Sequence, residues 1–223
     1  AVGAPGTIWT HGTYGTDSHG AVFVFQRSGG GWVQRQRIQY PTGYDGARCG
    51  HALALNATHL VFGCPDSAPS PGGPAAGHVV IFAFDGDTQR FVFLERYYSD
   101  LPGRCGASIA LSRNYMAHGC PSALTNEEGR VSVRRRDPQS NRFTVFEGNR
   151  FVTTNPGAAF GTAIALYEPG QFDPNLLNVR LAIGAPNTTY DGSIWPRGTV
   201  YVYHRAINTD TWGLNTRLRP VPA

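Results

Sequence analysis

The chain has 223 residues, 41% of them apolar, 12% aromatic and only 15% charged, a composition that can bury a core and excludes a disordered tail. Its 28 glycines and 16 prolines suit short strands joined by turns and exclude a long helical bundle. The net charge is +4 with every basic residue an arginine, too dispersed for the clustered basic face that nucleic-acid binding requires, so the missing lysine reads as a bias toward GC-rich codons.

No window approaches the roughly 18 to 20 consecutive apolar residues of a membrane-spanning helix, and no charged-then-apolar leader opens the sequence, so this segment is not expected to span a membrane. In chain order, Gly3-Ala4-Pro5 comes first, then the alternating run Gly20 to Phe25, a turn at Ser28 to Gly31 and a strand starting at Trp32. The same succession returns three times. Cys49-Gly50-His51-Ala52-Leu53-Ala54-Leu55, Gly63-Cys64-Pro65, Gly77 to Phe84, the turn Asp85-Gly86-Asp87 and a strand from Phe91 form the second copy. Cys105-Gly106-Ala107-Ser108-Ile109-Ala110-Leu111, Gly119-Cys120-Pro121, Gly129 to Val133, the turn Asp137 to Ser140 and a strand from Phe143 form the third. Phe160-Gly161-Thr162-Ala163-Ile164-Ala165-Leu166, Gly184-Ala185-Pro186, Gly198 to Tyr203 and a strand from Trp212 form the fourth.

A fixed period decides the fold class before any single element does. The runs alternate with period 2, so each unit reads as a four-stranded antiparallel meander. One such sheet has two apolar faces and cannot bury both alone. Radial stacking of sheets satisfies that need, so the expected fold is an all-β propeller with units at approximately 1–41, 42–98, 99–150 and 151–223. Arg134-Arg135-Arg136 continues the run Val131-Ser132-Val133 and reads as the solvated end of an edge strand kept from pairing by charge.

The Phe-Gly-x-x-hydrophobic-Ala-Leu segment, Leu181-Ala-Ile-Gly-Ala-Pro186 and the following Gly-x-Val-Tyr-Val-Tyr resemble the FG-GAP repeat of integrin α-subunit head propellers. The resemblance covers nearly the whole chain. Many such repeats carry a calcium loop between the first two strands. Here that loop shrinks to Asn56-Ala57-Thr58-His59 and Ser112-Arg113-Asn114-Tyr115, which cannot supply the about six to eight oxygens calcium takes. The longer loop from Tyr167 to Arg180 offers Glu168, Gln171, Asp173, Asn175 and Asn178 without the glycine turn, and no metal or other cofactor is expected. The chain starts inside a unit, so its first blade is incomplete. The expectation is a segment of a larger propeller, of about seven blades by resemblance, or a chain that docks on another, with a closed four-bladed ring as the alternative.

The four cysteines sit only at repeat positions. Cys49 and Cys105 replace the Phe of Phe-Gly, Cys64 and Cys120 replace the Ala of Gly-Ala-Pro, and both replacements occur in the same two units. That coupling points to bonds Cys49–Cys64 and Cys105–Cys120 between neighbouring strands. Cross-unit pairings remain the alternative, and zinc lacks the usual ligand spacing. Asn56 and Asn187 head N-glycosylation sequons in loops. With the cysteines and an adhesion-type repeat, they place the protein outside the cell or on its surface, reached through the secretory pathway.

Nothing in the sequence assembles a catalytic set. The seven histidines share no motif position, Ser108 lacks a nucleophile elbow, and no phosphate loop is present, so catalysis is not expected. Binding is better supported. The resemblance places the strand two-to-three loops and the links between units on the face that integrins use for ligands. These segments, Gly6 to His19, Asp66 to Ala76, Asn187 to Arg197 and the links, hold Trp9, His11, Tyr14, Tyr44, Tyr97, Tyr98, Tyr190, Trp195 and Arg197, rigid contact formers that serve as ligand-binding candidates. The first expected function is an extracellular, non-catalytic adhesion or recognition module that binds protein or glycan. The second is a structural subunit packed against neighbouring chains of a fibre, coat or other assembly, which exposed apolar strands in the first unit would favour. A non-catalytic propeller of a larger enzyme is the third.

Overall fold

Glycines open the longest alternating runs because the chain there needs a backbone that L side chains resist. Gly20, Gly77, Gly129 and Gly198 have φ of 84°, 73°, 88° and 74°, and a strand starts directly after each. The computed structural model describes residues 1–11, 15–17, 19–39, 46–68, 73–99, 102–123, 128–146, 149–170, 178–189, 195–206 and 211–220. They form two units, Ala1–Ala107 and Ser108–Ala223.

In the first unit the strands are β1 (Val2–Ala4), β2 (Trp9–His11), β3 (Gly15–Asp17), β4 (Ala21–Ser28), β5 (Gly31–Ile38), β6 (Leu53–Leu55), β7 (His59–Cys64), β8 (His78–Asp85) and β9 (Arg90–Tyr98). They make the antiparallel sheets β1-β4-β5 and β6-β7-β8-β9 and the hairpin β2-β3. The second unit has β10 (Ser108–Leu111), β11 (Tyr115–Cys120), β12 (Arg130–Arg136), β13 (Phe143–Thr144), β14 (Arg150–Val152), β15 (Ala163–Tyr167), β16 (Asn178–Ala185), β17 (Thr199–Ala206) and β18 (Trp212–Leu218). Its sheets are β10-β11-β12-β13, with β14 also on β12, and β15-β16-β17-β18. The protein is all-β, with four antiparallel sheets plus the hairpin and no helix among the described residues.

Register repeats as well as order. The ladder between third and fourth strands shifts at Val24/Phe25, at Ile81/Phe82 and at Val202/Tyr203, each time four residues beyond the opening glycine. A bulge at a fixed place re-aims the outer half of each hairpin in the same way. In the third repeat the shift grows into a break. Arg135 and Arg136 pair with Thr144 and Phe143, whereas Arg130 to Ser132 pair with Val152 to Arg150. The single fourth strand expected from Phe143 is thus two short ones that run past residue 150. Phe143 and Phe151 are both buried and anchor the two short strands. The arginine run belongs to β12, which is paired on both sides. It is therefore an interior strand, not an edge, and Arg136 is held by Asn141 and Asn114 through bonds of 2.9 and 3.2 Å.

The two glycines of the repeat mark where successive segments touch backbone to backbone. A Cβ on Gly3 would lie 2.0 Å from the Gly50 carbonyl oxygen, one on Gly63 1.9 Å from that of Gly106, and one on Gly119 2.1 Å from that of Gly161. Bridges Gly20↔Cys49, Gly77↔Cys105 and Gly129↔Phe160 lie beside these contacts. Only glycine allows so close an approach. Apolar cores fill the space around it. Val22, Val24 and Ile38 meet Leu60, Phe62, Val80 and Phe82 in the first unit. Val131, Val133 and Phe151 meet Leu181, Ile183 and Tyr201 in the second. Each large side chain so buried contributes roughly 1.5–3 kcal/mol.

Several buried positions carry titratable groups, and two histidines among them are strongly shifted. His118 stands in β11 opposite Ile109 and Ser132, and burial, with help from Arg134 and Arg130, pushes its pKa down to about 3. Burial beside Arg96 pushes that of His78 down to about 4. Between the ordinary value of 6.5 and these lowered values the unfolded chain binds more protons than the folded one. Stability is therefore full above that ordinary value and falls as pH drops toward 4 and 3, by up to about 1.4 kcal/mol per pH unit for each histidine. Urea unfolding between pH 7 and 4 should show this slope, and His118→Leu should roughly halve it. A flat profile in the parent protein would contradict the burial of both rings.

Candidate binding surface at the loop-bearing end of the first unit

Because β7, β8 and β9 are antiparallel neighbours, the end of β7, the start of β8 and the end of β9 lie at one end of their sheet. The floor there is the Cys49–Cys64 disulfide, with S–S 2.01 Å and a sequence separation of 15. His78 lies alongside, all three potential donor atoms being within 4.8 Å of one another. With both sulfurs bonded, the trio offers no thiolate to a metal. Cys105 and Cys120 are disulfide-bonded too, which leaves them only each other. The chain therefore carries two disulfides, in the pairing that the coupled substitutions indicate.

Above this floor Asp66 takes two guanidinium groups at once. Arg48 Nη1 reaches Oδ2 at 3.3 Å and Arg104 Nε reaches Oδ1 at 2.8 Å. Both arginines precede a Cys-Gly pair and have left-handed backbones, φ 54° and 55°, as does Ala159 before Phe160-Gly161 at 52°. The alanine shows that the turn itself demands this backbone. The arginine side chains are an addition to it. His51 sits within the same field, its pKa lowered first by partial burial and then by Arg48 and Arg104, against the pull of Asp66. Two cations on one carboxylate leave an excess of positive charge beside solvent. Each exposed pair contributes at most about 1 kcal/mol to stability, so the cluster matters more for what it attracts than for what it holds together.

The described candidates read from the sequence fall in different elements. Tyr97 and Tyr98 end β9 instead of occupying a link, because the ladder runs on to His78↔Tyr98. Tyr98 packs on His78 with centroids 5.0 Å apart, and Arg96 lies 5.0 Å over its ring. Trp9 and His11 belong to β2, so the segment after Gly6 is partly a hairpin. Trp195 is 72% exposed. Arg197 is exposed as well and donates its backbone N–H to Thr188 O at 3.1 Å. Tyr14, Tyr44 and Tyr190 lie outside the described residues. Among the sequons, Asn187 is exposed, and Asn56 accepts at Oδ1 from the N–H groups of Thr58 and His59 at 2.9 and 2.8 Å in the β6–β7 turn. Glu168, from the run weighed against calcium, spends both oxygens on Asn114 at 2.8 and 2.6 Å. Of that run, Gln171, Asp173 and Asn175 lie outside the described residues.

Sequence reasoning did not single out Arg48, Asp66 and Arg104. A signal existed, an arginine at the same offset before Cys-Gly in two repeats, but Asp66 has no such mark. Also missed is a groove of about 590 Å³ at the other end of the unit, lined by Phe84, Phe91, Arg35 and Gln36 among others. There the Gln36 amide bonds Phe91 O at 2.8 Å and Phe91 N–H at 2.9 Å, standing in for a missing strand pair. Fold and site together define an all-β repeat protein with disulfide-braced sheets and an arginine-bearing loop end. No protein-family model matches the chain, and no curated protein matches it.

Proposed function

We propose that this chain is an extracellular, non-catalytic recognition module, a set of FG-GAP-type propeller blades that binds acidic groups of a protein or glycan at its loop-bearing end. The three phased copies of the Phe/Cys-Gly motif and four of the Gly-Ala/Cys-Pro motif support the propeller reading, and the two disulfides are consistent with an extracellular location. The observation that carries the ligand class is the Arg48–Asp66–Arg104 cluster. Its two forks are held in place by one carboxylate and retain donors for a ligand carboxylate or sulfate.

The test is binding to immobilised sulfated glycan and to an acidic peptide at low and high salt. Arg48→Ala with Arg104→Ala should weaken binding about tenfold, and Asp66→Asn should strengthen it by removing the competing anion. Added salt should release the bound protein. Unchanged binding of the double variant to both surfaces would remove the assignment.

A further inference from the structure

Every sheet-to-sheet contact within a unit has the same polarity. One sheet offers the face that carries its small-residue strand and Gly-Ala/Cys-Pro glycine, and the next sheet covers it with the opposite, bulkier face. In the second unit, β10 to β14 present Ser108, Ala110, Gly119, Val131 and Phe151, all buried, with Val131 0% and Phe151 6% exposed. Phe160, Leu181, Ile183 and Tyr201 of the next repeat pack on them.

Among the described residues, no neighbouring sheet of the same unit covers the matching face of β15 to β18. Ala163 pairs with Gly184, Gly184 with Val200 and Val200 with Leu218, which makes them the counterparts of Ser108, Gly119, Val131 and Phe151. Val200 is 38% and Leu218 57% exposed, and Ala163 and Ala165 are exposed too. A Cβ on Gly184 would meet only Ala163 of its own sheet, at 3.5 Å, whereas the other three glycines of this class face a carbonyl. The complementary face of β1-β4-β5 is exposed at its Val2 end, while Phe23 and Phe25 on it are half-buried and Ala21 is buried. Val2, paired with Phe23, is 55% exposed, while its counterparts Phe62 and Ile183 are 1% and 0%.

We infer that a second copy of this chain covers the β15–β18 face with the bulky face of its own β1-β4-β5 sheet, giving head-to-tail self-association. Continuity with the internal contacts argues for it, since each pairs a small-residue face with a bulky one. Two β15–β18 faces set together would place small residues against small and leave voids. Two unlike faces on one chain make a heterologous contact that can propagate. The inference rests on the repetition of the sheets and not on the ligand assigned to Arg48 and Arg104.

Sedimentation velocity decides it. The full chain should gain mass between about 1 and 100 µM. Val200→Asp and Val2→Asp should each remain monomeric with unchanged melting temperature, and Leu218→Asp serves as a second probe should Val200→Asp unfold. An equal mixture of Val200→Asp and Val2→Asp should give a dimer, because each keeps the face the other lacks. A monomeric parent at the highest concentration, association of either variant alone as strong as the parent's, or a mixture that stays monomeric would overturn the inference.

Discussion

Gly63→Ala and Gly119→Ala are each expected to destabilise the protein by about 3 kcal/mol or more, while Gly184→Ala should change stability little. None of the three has a left-handed backbone, so in each the added methyl lowers the entropy of the unfolded chain, a gain of about 0.4–1 kcal/mol. The contacts differ. The new Cβ would sit 1.9 Å from Gly106 O at the first position and 2.1 Å from Gly161 O at the second, against 3.5 Å from Ala163 at the third. Backbone cannot yield there without moving a whole sheet. At Gly119 the methyl would also displace Ser108 Oγ, which donates to Gly161 O at 2.6 Å. Urea unfolding of the three variants side by side isolates the approach of the backbones. Equal midpoints would mean that the repeat glycines do not meet their neighbours.

Loss of the Cys49–Cys64 bond is the second large effect expected. The chain-entropy model assigns about 3 kcal/mol to a loop of roughly this size, and the separation is 15 residues. Against a typical total stability of about 5–15 kcal/mol, Cys49→Ala with Cys64→Ala should lower the unfolding midpoint clearly. The bond lies buried between the start of one repeat strand and the end of the next, and Phe62, Phe82 and Val80 pack around it. Peptide mapping without reductant should recover residues 49 and 64 linked, and 105 and 120 linked. Free thiols at all four would remove the bonds and, with them, the case for an oxidising compartment. A double variant as stable as the parent would show that packing alone holds the strands.

What the amino-acid order settled by itself is local and periodic. Alternation with period 2, a glycine before the third strand of each repeat, and Asx-type turns at Asp85 and Asp137 act over a few residues, so they mark strands wherever the chain goes. The coupled cysteines were legible for a related reason: a pair changed together in two repeats and in neither position of the fourth. Tertiary structure decided the rest. Asp66 meets Arg104 across 38 residues and Gln36 meets Phe91 across 55, contacts that depend on how one sheet lies on another and leave no periodic trace. The third repeat's fourth strand breaks into two short strands anchored by the buried Phe143 and Phe151. The β15–β18 face of Ala163, Gly184, Val200 and Leu218 has the same pattern as its buried counterparts, so whether it is covered is decided by the neighbouring sheet and not by the residues it carries.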